Sequence, residues 1–77
     1  MNAAEHLAWA QERAMEYIEL GDVSQAMASF LSDLTKHPGT DKLFTSPVQV
    51  LYMHVLMTGD PREARRFVAG FRVMDAP

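Results

Sequence analysis

Histidine and serine have the widest chemical range of the residue types in this chain, and their spacing limits what they could do. The three histidines, His6, His37 and His54, have no second histidine four positions away and no HExxH motif, so we expect no metal site. No serine lies in a Gly-x-Ser-x-Gly turn, no glycine-rich phosphate loop is present, and the chain has no cysteine. We therefore expect no catalytic site and no cofactor, and we interpret the chain as a non-enzymatic protein.

Positive charge is concentrated near the C-terminus, at Arg62, Arg65, Arg66 and Arg72. Such a basic patch could contact nucleic-acid phosphates. The formal net charge of the whole chain is −3, however, and acidic residues lie among these arginines. The alternative, which we favour, is a solvated face or an ionic contact with the acidic first helix of a neighbouring subunit.

Apolar side chains outside the expected core are the candidate partner-binding residues. Trp9 projects opposite the apolar stripe of the first helix, among glutamates, and is either an exposed binding hot spot or packed against a loop or the C-terminal tail. Val50, Met53 and Met57 form a second apolar face on the third predicted helix. That face is covered either by neighbouring helices or by a second copy or another protein.

Polar capping residues predict four helices that position these side chains. Each helix begins with a short polar residue followed three positions later by Glu or Gln, in the pairs Asn2/Glu5, Asp22/Gln25, Ser46/Gln49 and Asp60/Glu63. The predicted helices cover about 3–20, 23–36, 47–58 and 61–72. Gly21 and Gly59 suit the left-handed conformation that ends a helix. Segment 40–45 is expected to fold over the core or to form a short turn of helix, and 73–77 to be a frayed tail.

Helical spacing of apolar residues predicts the core. Its members are Leu7, Ala10, Ala14, Tyr17 and Ile18 on helix one; Val23, Ala26, Met27, Phe30 and Leu34 on helix two; Val48, Leu51, Tyr52 and Val55 on helix three; and Ala64, Phe67, Val68 and Phe71 on helix four.

A Gly-Asp pair occurs twice, at 21–22 and 59–60, each with an alanine five residues after the glycine. The first copy, which comprises Ala14, Tyr17, Gly21-Asp22, Ala26, Phe30, Leu34 and Pro38, resembles a tetratricopeptide repeat. The resemblance implies an all-α domain of two tandem antiparallel hairpins, about 3–36 and 47–72, and a protein-binding function.

A second resemblance covers most of the chain. The residues Trp9, Glu12-Arg13-Ala14, Tyr17, Gly21-Asp22, Ala26, Ser29-Phe30, Asp33-Leu34, Lys36-His37 and Thr40, with 65–67 and 70–71, are similar to small uncharacterised proteins of actinobacterial phages. This resemblance implies a phage origin but no particular activity.

Length and composition limit the cellular setting. Seventy-seven residues allow one domain, and we expect a cytoplasmic protein without membrane association, because no secretory signal or apolar run of about 20 residues is present. We predict a small helical protein that acts by protein–protein interaction, self-associates as a homo-oligomer and modulates a host or phage protein. The alternative is a small nucleic-acid-associated regulator that uses the helix-four arginines.

Overall fold

Five helices occupy the part of the chain that the computed structural model describes, residues 2–73. They are α1 (Ala3–Glu19), α2 (Val23–Thr35), α3 (Pro38–Asp41), α4 (Ser46–Thr58) and α5 (Pro61–Ala69). No strand is present in these residues, and the helices form one compact unit with a radius of gyration of 11.7 Å. The all-α prediction is confirmed, with one more helix than the sequence analysis expects.

The predicted caps of the first two helices are present. The Glu5 backbone N–H donates to Asn2 Oδ1 at 2.8 Å, and the Asn2 N–H donates to Glu5 Oε1 at 3.1 Å, which completes a capping box. The Gln25 N–H likewise donates to Asp22 Oδ1 at 3.0 Å. These bonds satisfy N–H groups that have no partner within their helices, so they determine where α1 and α2 begin.

Of the last two predicted caps, one is present and one is not. Asp60 caps α5, where its side chain accepts from the Arg62 N–H at 2.9 Å. Ser46 instead lies inside α4, and Thr45 is the N-cap residue without a side-chain capping bond. The start of α4 therefore depends on Pro at its first turn rather than on a capping bond.

Glycines end three of the long helices, in two ways. Gly21 and Gly59 have φ of 80° and 63°, the left-handed conformation expected of them. At Gly70, α5 ends sooner than the predicted 72. The Gln11 side chain donates there to the carbonyls of Val68 at 2.9 Å and Phe71 at 3.2 Å, and so satisfies groups that a longer helix would have bonded internally.

Helix α3 replaces part of the predicted loop. His37 caps it, because His37 Nδ1 accepts a hydrogen bond from the Gly39 N–H at 2.9 Å. Thr40 is fully buried, and its hydroxyl donates to the Leu34 carbonyl at 2.6 Å. A Cβ atom on Gly39 would lie 2.6 Å from Ala3 Cβ, so the absence of a side chain allows α3 to pack directly on α1.

The predicted core of α1 and α2 is buried as expected, except that Tyr17 is half-buried. Phe30 is fully buried and meets Phe71 and Phe67 edge to face, with ring centroids 5.0 and 6.3 Å away. Phe30 therefore joins the α1–α2 core to α5. Val73, placed by the sequence analysis in the tail, also packs against the core, whereas 74–77 lie outside the described residues.

The predicted core of α4 is confirmed only in part. Val55 is buried, Val48 and Tyr52 are half-buried, and Leu51 is 55% exposed. The reason is that α4 contacts α2 and α5 but not α1, so the other described helices cover only one side of it. Neighbouring helices therefore do not enclose α4, and its second apolar face is bare.

Candidate partner-binding surfaces

The bare face of α4 is a row of three apolar side chains, Val50, Met53 and Met57, which we call the α4 stripe. Their exposed fractions are 69%, 57% and 83%, and their spacing of three and four residues puts them on one side of the helix. The buried Val55 lies on the opposite side. Helix α4 contains no Asp, Glu, Lys or Arg, so no charge on the helix itself interrupts the stripe.

The size of the α4 stripe indicates what it could bind. Each of its three side chains is more than half exposed, and contiguous exposed apolar side chains often bind partners. Three side chains are far fewer than the roughly 20–30 residues that each partner contributes to a standard interface, so their burial offsets only part of the cost of association. The stripe alone therefore supports weak, reversible binding.

A second surface lies where α4 packs beside α5, and we call it the α4–α5 groove. Its larger part has a volume of about 360 Å³, with an apolar floor formed by Leu43, Val48, Leu51, Phe67 and Phe71. A further part of about 190 Å³ shares Leu51, Arg66 and Phe67 with the first, so the two parts are contiguous. An aromatic layer holds the floor in place: the Phe67 ring meets those of Phe71 at 5.1 Å and Tyr52 at 6.2 Å.

The arginines of the predicted basic patch differ in whether they line the α4–α5 groove. Arg66 and Arg72 line the α4–α5 groove, whereas Arg62 and Arg65 are not among its lining residues. Arg62 lies 3.7 Å from an Asp60 carboxylate oxygen, and Arg66 lies 3.6 Å from one of Glu63. Both arginines are about four-fifths exposed, at 82% and 78%, so these ion pairs contribute little stability.

Trp9 is separate from both surfaces. It is half-buried; the Arg13 guanidinium lies over its ring, 5.0 Å from the centroid, and the His6 ring lies beside it at 5.3 Å. In the described residues α1 makes no contact with α4, so Trp9 and the α4 stripe do not form one binding site. Trp9 is partly buried and packs against the core, so it is not a fully exposed side chain.

A buried carboxylate near Trp9 was not singled out by the sequence analysis. Asp33 is 1% exposed; its Oδ2 accepts from Arg13 Nε at 2.8 Å and its Oδ1 from Lys36 Nζ at 3.3 Å. The hydrogen bond and the negative charge of Asp33 raise the pKa of Arg13. Helical spacing could have indicated that Asp33 is buried, because it lies three residues after Phe30, on the inward face of α2.

The histidines do not form a metal site in the described structure. His6 and His37, far apart in sequence, have ring centroids 5.1 Å apart, and His6 Nε2 lies 2.6 Å from the Asp33 carbonyl oxygen. His54 instead lines the smaller part of the α4–α5 groove. Within residues 2–73 no group of three or more His, Cys, Asp or Glu side chains could hold a metal ion.

Comparisons with protein-family models, curated proteins and solved structures find no match to this chain. No helix in the described range is both long and apolar enough to cross a bilayer. The chemistry of the surfaces is therefore the basis on which function is inferred.

Proposed function

We propose that this chain is a non-enzymatic protein that acts by binding other protein chains, and that two copies associate through the α4 stripe. The observation that carries the proposal is the exposure of Val50, Met53 and Met57 on one face of an uncharged helix. Apolar side chains at this spacing are typical of a surface that packs against another helix.

A second copy fits the α4 stripe because the stripe is self-complementary. Two α4 helices related by a two-fold axis near Met53 would run antiparallel, so that Val50 of each copy lies near Met57 of the other. The small Val50 side chain of one copy would then pack against the long, flexible Met57 side chain of the other. The absence of charge on α4 means that this pairing brings no like charges of the helix together.

The test is the oligomeric state of the purified chain. Because the stripe is smaller than the roughly 800 Å² that each partner buries in a standard interface, we expect a dimer that forms in the micromolar range and dissociates on dilution. Sedimentation equilibrium from about 5 to 500 μM covers that range. Met53→Glu should give a monomer throughout, whereas Ala28→Glu, at an exposed position of α2, should leave the dimer intact. A wild-type chain that remains monomeric at the highest concentration would contradict the proposal.

We further propose that the helices are arranged as two tandem antiparallel hairpins similar to tetratricopeptide repeats. Two contacts support this arrangement. His6, near the start of α1, contacts Asp33, near the end of α2. Val48, near the start of α4, lines the same groove as Phe71, just beyond the end of α5.

The phage resemblance suggests the biological role of such a protein. We propose that the chain is phage-encoded and modulates a host or phage protein in the cytoplasm of the host cell. We expect that a host or phage protein co-purifies with the wild-type chain from infected cells. The same protein should not co-purify with a variant that carries charged residues on its apolar surfaces.

Nucleic-acid binding is the second candidate function. One observation favours it: among the described residues Arg65 and Arg72 have no carboxylate partner within 4 Å, so their charges are available. Retention on heparin at physiological salt, lost in the Arg65→Ala, Arg66→Ala double variant, would favour this function, because phosphate contacts weaken steeply with salt. Apolar docking should depend little on salt.

A further inference from the structure

We propose that the α4–α5 groove binds an acidic amphipathic helix of a different protein, with apolar side chains on its floor and carboxylates against Arg66 and Arg72. This inference rests on the proposed function of the chain as an interaction protein and names the chemistry of its partner. It uses a surface that does not include the α4 stripe, so the two proposals can fail separately.

The floor of the groove has the shape that a helix requires. The α4 residues that line its two contiguous parts, about 360 and 190 Å³, run from Val48 to Val55, a distance of about 10 Å along the helix. A partner helix would contact that length over about two turns. Its residues at i, i+3, i+4 and i+7 would then lie over Leu51, Phe67 and Phe71.

The rim of the groove determines the charge of the partner. Arg66 is 78% exposed and only weakly paired with Glu63, and Arg72 has no carboxylate within 4 Å among the described residues. The α4 side contributes no charged residue, so the two arginines outweigh the single glutamate that lines the smaller part. Guanidinium groups bind carboxylates through paired N–H donors, so the rim favours acidic residues beside the apolar ones.

The described surface of this chain does not supply such a helix. The acidic residues on the outer face of α1 lie beside one large exposed apolar residue, Leu20. The other large exposed apolar residues are all on α4, which carries no acid. Because the apolar face of α1 is already buried in the core and the exposed apolar face of α4 carries no acid, no described helix exposes both an acidic and an apolar face. The occupant that fits the groove is therefore a different protein and not a second copy.

Peptide binding tests the proposal. The probe is a fluorescein-labelled peptide of about 14 residues with Leu at i, i+3, i+4 and i+7 and Glu at most other positions, and anisotropy is measured at about 150 mM salt. One control peptide has Lys in place of Glu, and the other has Ser in place of Leu. We expect micromolar binding of the acidic peptide and at least about tenfold weaker binding of both controls.

Variants locate the binding site. The Arg66→Gln, Arg72→Gln double variant should weaken binding of the acidic peptide by about tenfold, because two charged contacts are lost. Arg65→Gln is the matched control: it removes an arginine of the same helix that does not line the groove, and it should leave affinity unchanged. Leu51→Ser should weaken binding without removing charge, and circular dichroism checks that each variant is folded.

Four results would overturn the proposal, the last of them the absence of peptide binding. Equal binding of the Lys peptide would show that the arginine rim does not select the partner. Tighter binding of a short DNA duplex, lost equally in Arg65→Gln, would identify a nucleic-acid surface. Loss of peptide binding in Met53→Glu, with full binding by Leu51→Ser, would place the peptide on the α4 stripe. A chain that stays monomeric but binds the acidic peptide would refute only the proposed dimer, and a dimer that does not bind it would refute only the groove.

Discussion

The part of the molecule formed by α1, α2 and α3 and the part formed by α4 and α5 use their apolar residues differently. Within residues 2–73, all the buried apolar residues except Val55, Ala64 and Val68 lie on α1 and α2. The large exposed apolar residues, apart from Leu20, lie on α4. The first part therefore supplies most of the folding free energy from apolar burial, and the second leaves apolar surface available for binding.

Side-chain size differs between the two parts. Ala10, Ala14 and Ala26 are fully buried on α1 and α2, and small side chains allow two helices to approach closely. Around α4 the contacts are between aromatic rings, where Tyr52 meets Phe44 and Phe67. Helix α4 contacts α2 and α5 but not α1, so only one side of it becomes buried.

The largest expected difference between the two parts is in the free energy of unfolding, when one apolar residue of each part is truncated. Phe30→Ala should lower the free energy of unfolding by about 3–5 kcal/mol, because it removes a fully buried ring and its contacts with α5. Met57→Ala, at an 83% exposed position, should change it by less than about 0.5 kcal/mol.

Urea unfolding followed by circular dichroism measures both changes at a concentration where the chain is monomeric. A domain of this size has about 5–10 kcal/mol in total, so Phe30→Ala should lose a large fraction of its stability. A larger loss of unfolding free energy in Met57→Ala than in Phe30→Ala would contradict the difference that we infer between the two parts.

Substitution of Asp33, the buried carboxylate of the first part, should have an intermediate effect on the free energy of unfolding. Asp33→Asn keeps the shape of the side chain but leaves Arg13 and Lys36 without their anion. Because these cations are 44% and 59% exposed, water screens part of the loss, and we expect about 1–2 kcal/mol instead of the 3–5 of a fully buried pair.

Glu63→Gln is the matched control in the second part, since it breaks an exposed pair with Arg66 at 3.6 Å. Its effect on the free energy of unfolding should be below about 0.5 kcal/mol. Equal effects of the two substitutions, measured by thermal or urea unfolding, would mean that burial of Asp33 adds nothing to the stability of the first part.

Local patterns in the sequence predict α1, α2 and the buried face of α5 well and α4 less well. The periodicity of α1 and α2 and the caps at Asn2 and Asp22 depend on residues within one turn of each other, and the structure confirms them. The same periodicity on α4 predicts that Leu51 is buried, which is wrong. Periodicity identifies an apolar face but not whether another helix is close enough to cover it.

The features that the sequence does not reveal depend on contacts between distant residues. The contact of His6 with His37 and the pairing of Arg13 with Asp33 require that α1 and α2 are already packed. The α4–α5 groove requires that Leu43 and Phe71 lie beside the same stretch of α4. The arginines could be recognised as basic in the sequence, but only the fold shows which of them line an apolar groove.

The smallest expected effect concerns Tyr52, in the second part, and its pH dependence. Partial burial raises the pKa of Tyr52 above its ordinary value of 10.0, because removal of water disfavours the phenolate. Below that ordinary value the hydroxyl is protonated in both the folded and the unfolded chain, so the full stability is present. As pH rises above it, the unfolded chain releases the Tyr52 proton more readily than the folded chain, and stability falls.

We therefore expect the urea midpoint of the wild-type chain to fall more steeply above about pH 10 than that of Tyr52→Phe. The control is Tyr17→Phe, on α1, which should keep the part of the decrease in urea midpoint that comes from Tyr52. If Tyr52→Phe loses stability with pH as steeply as the wild type, then α4 is not held against α5 closely enough to shield the Tyr52 hydroxyl, and the second part is more open than its aromatic contacts indicate.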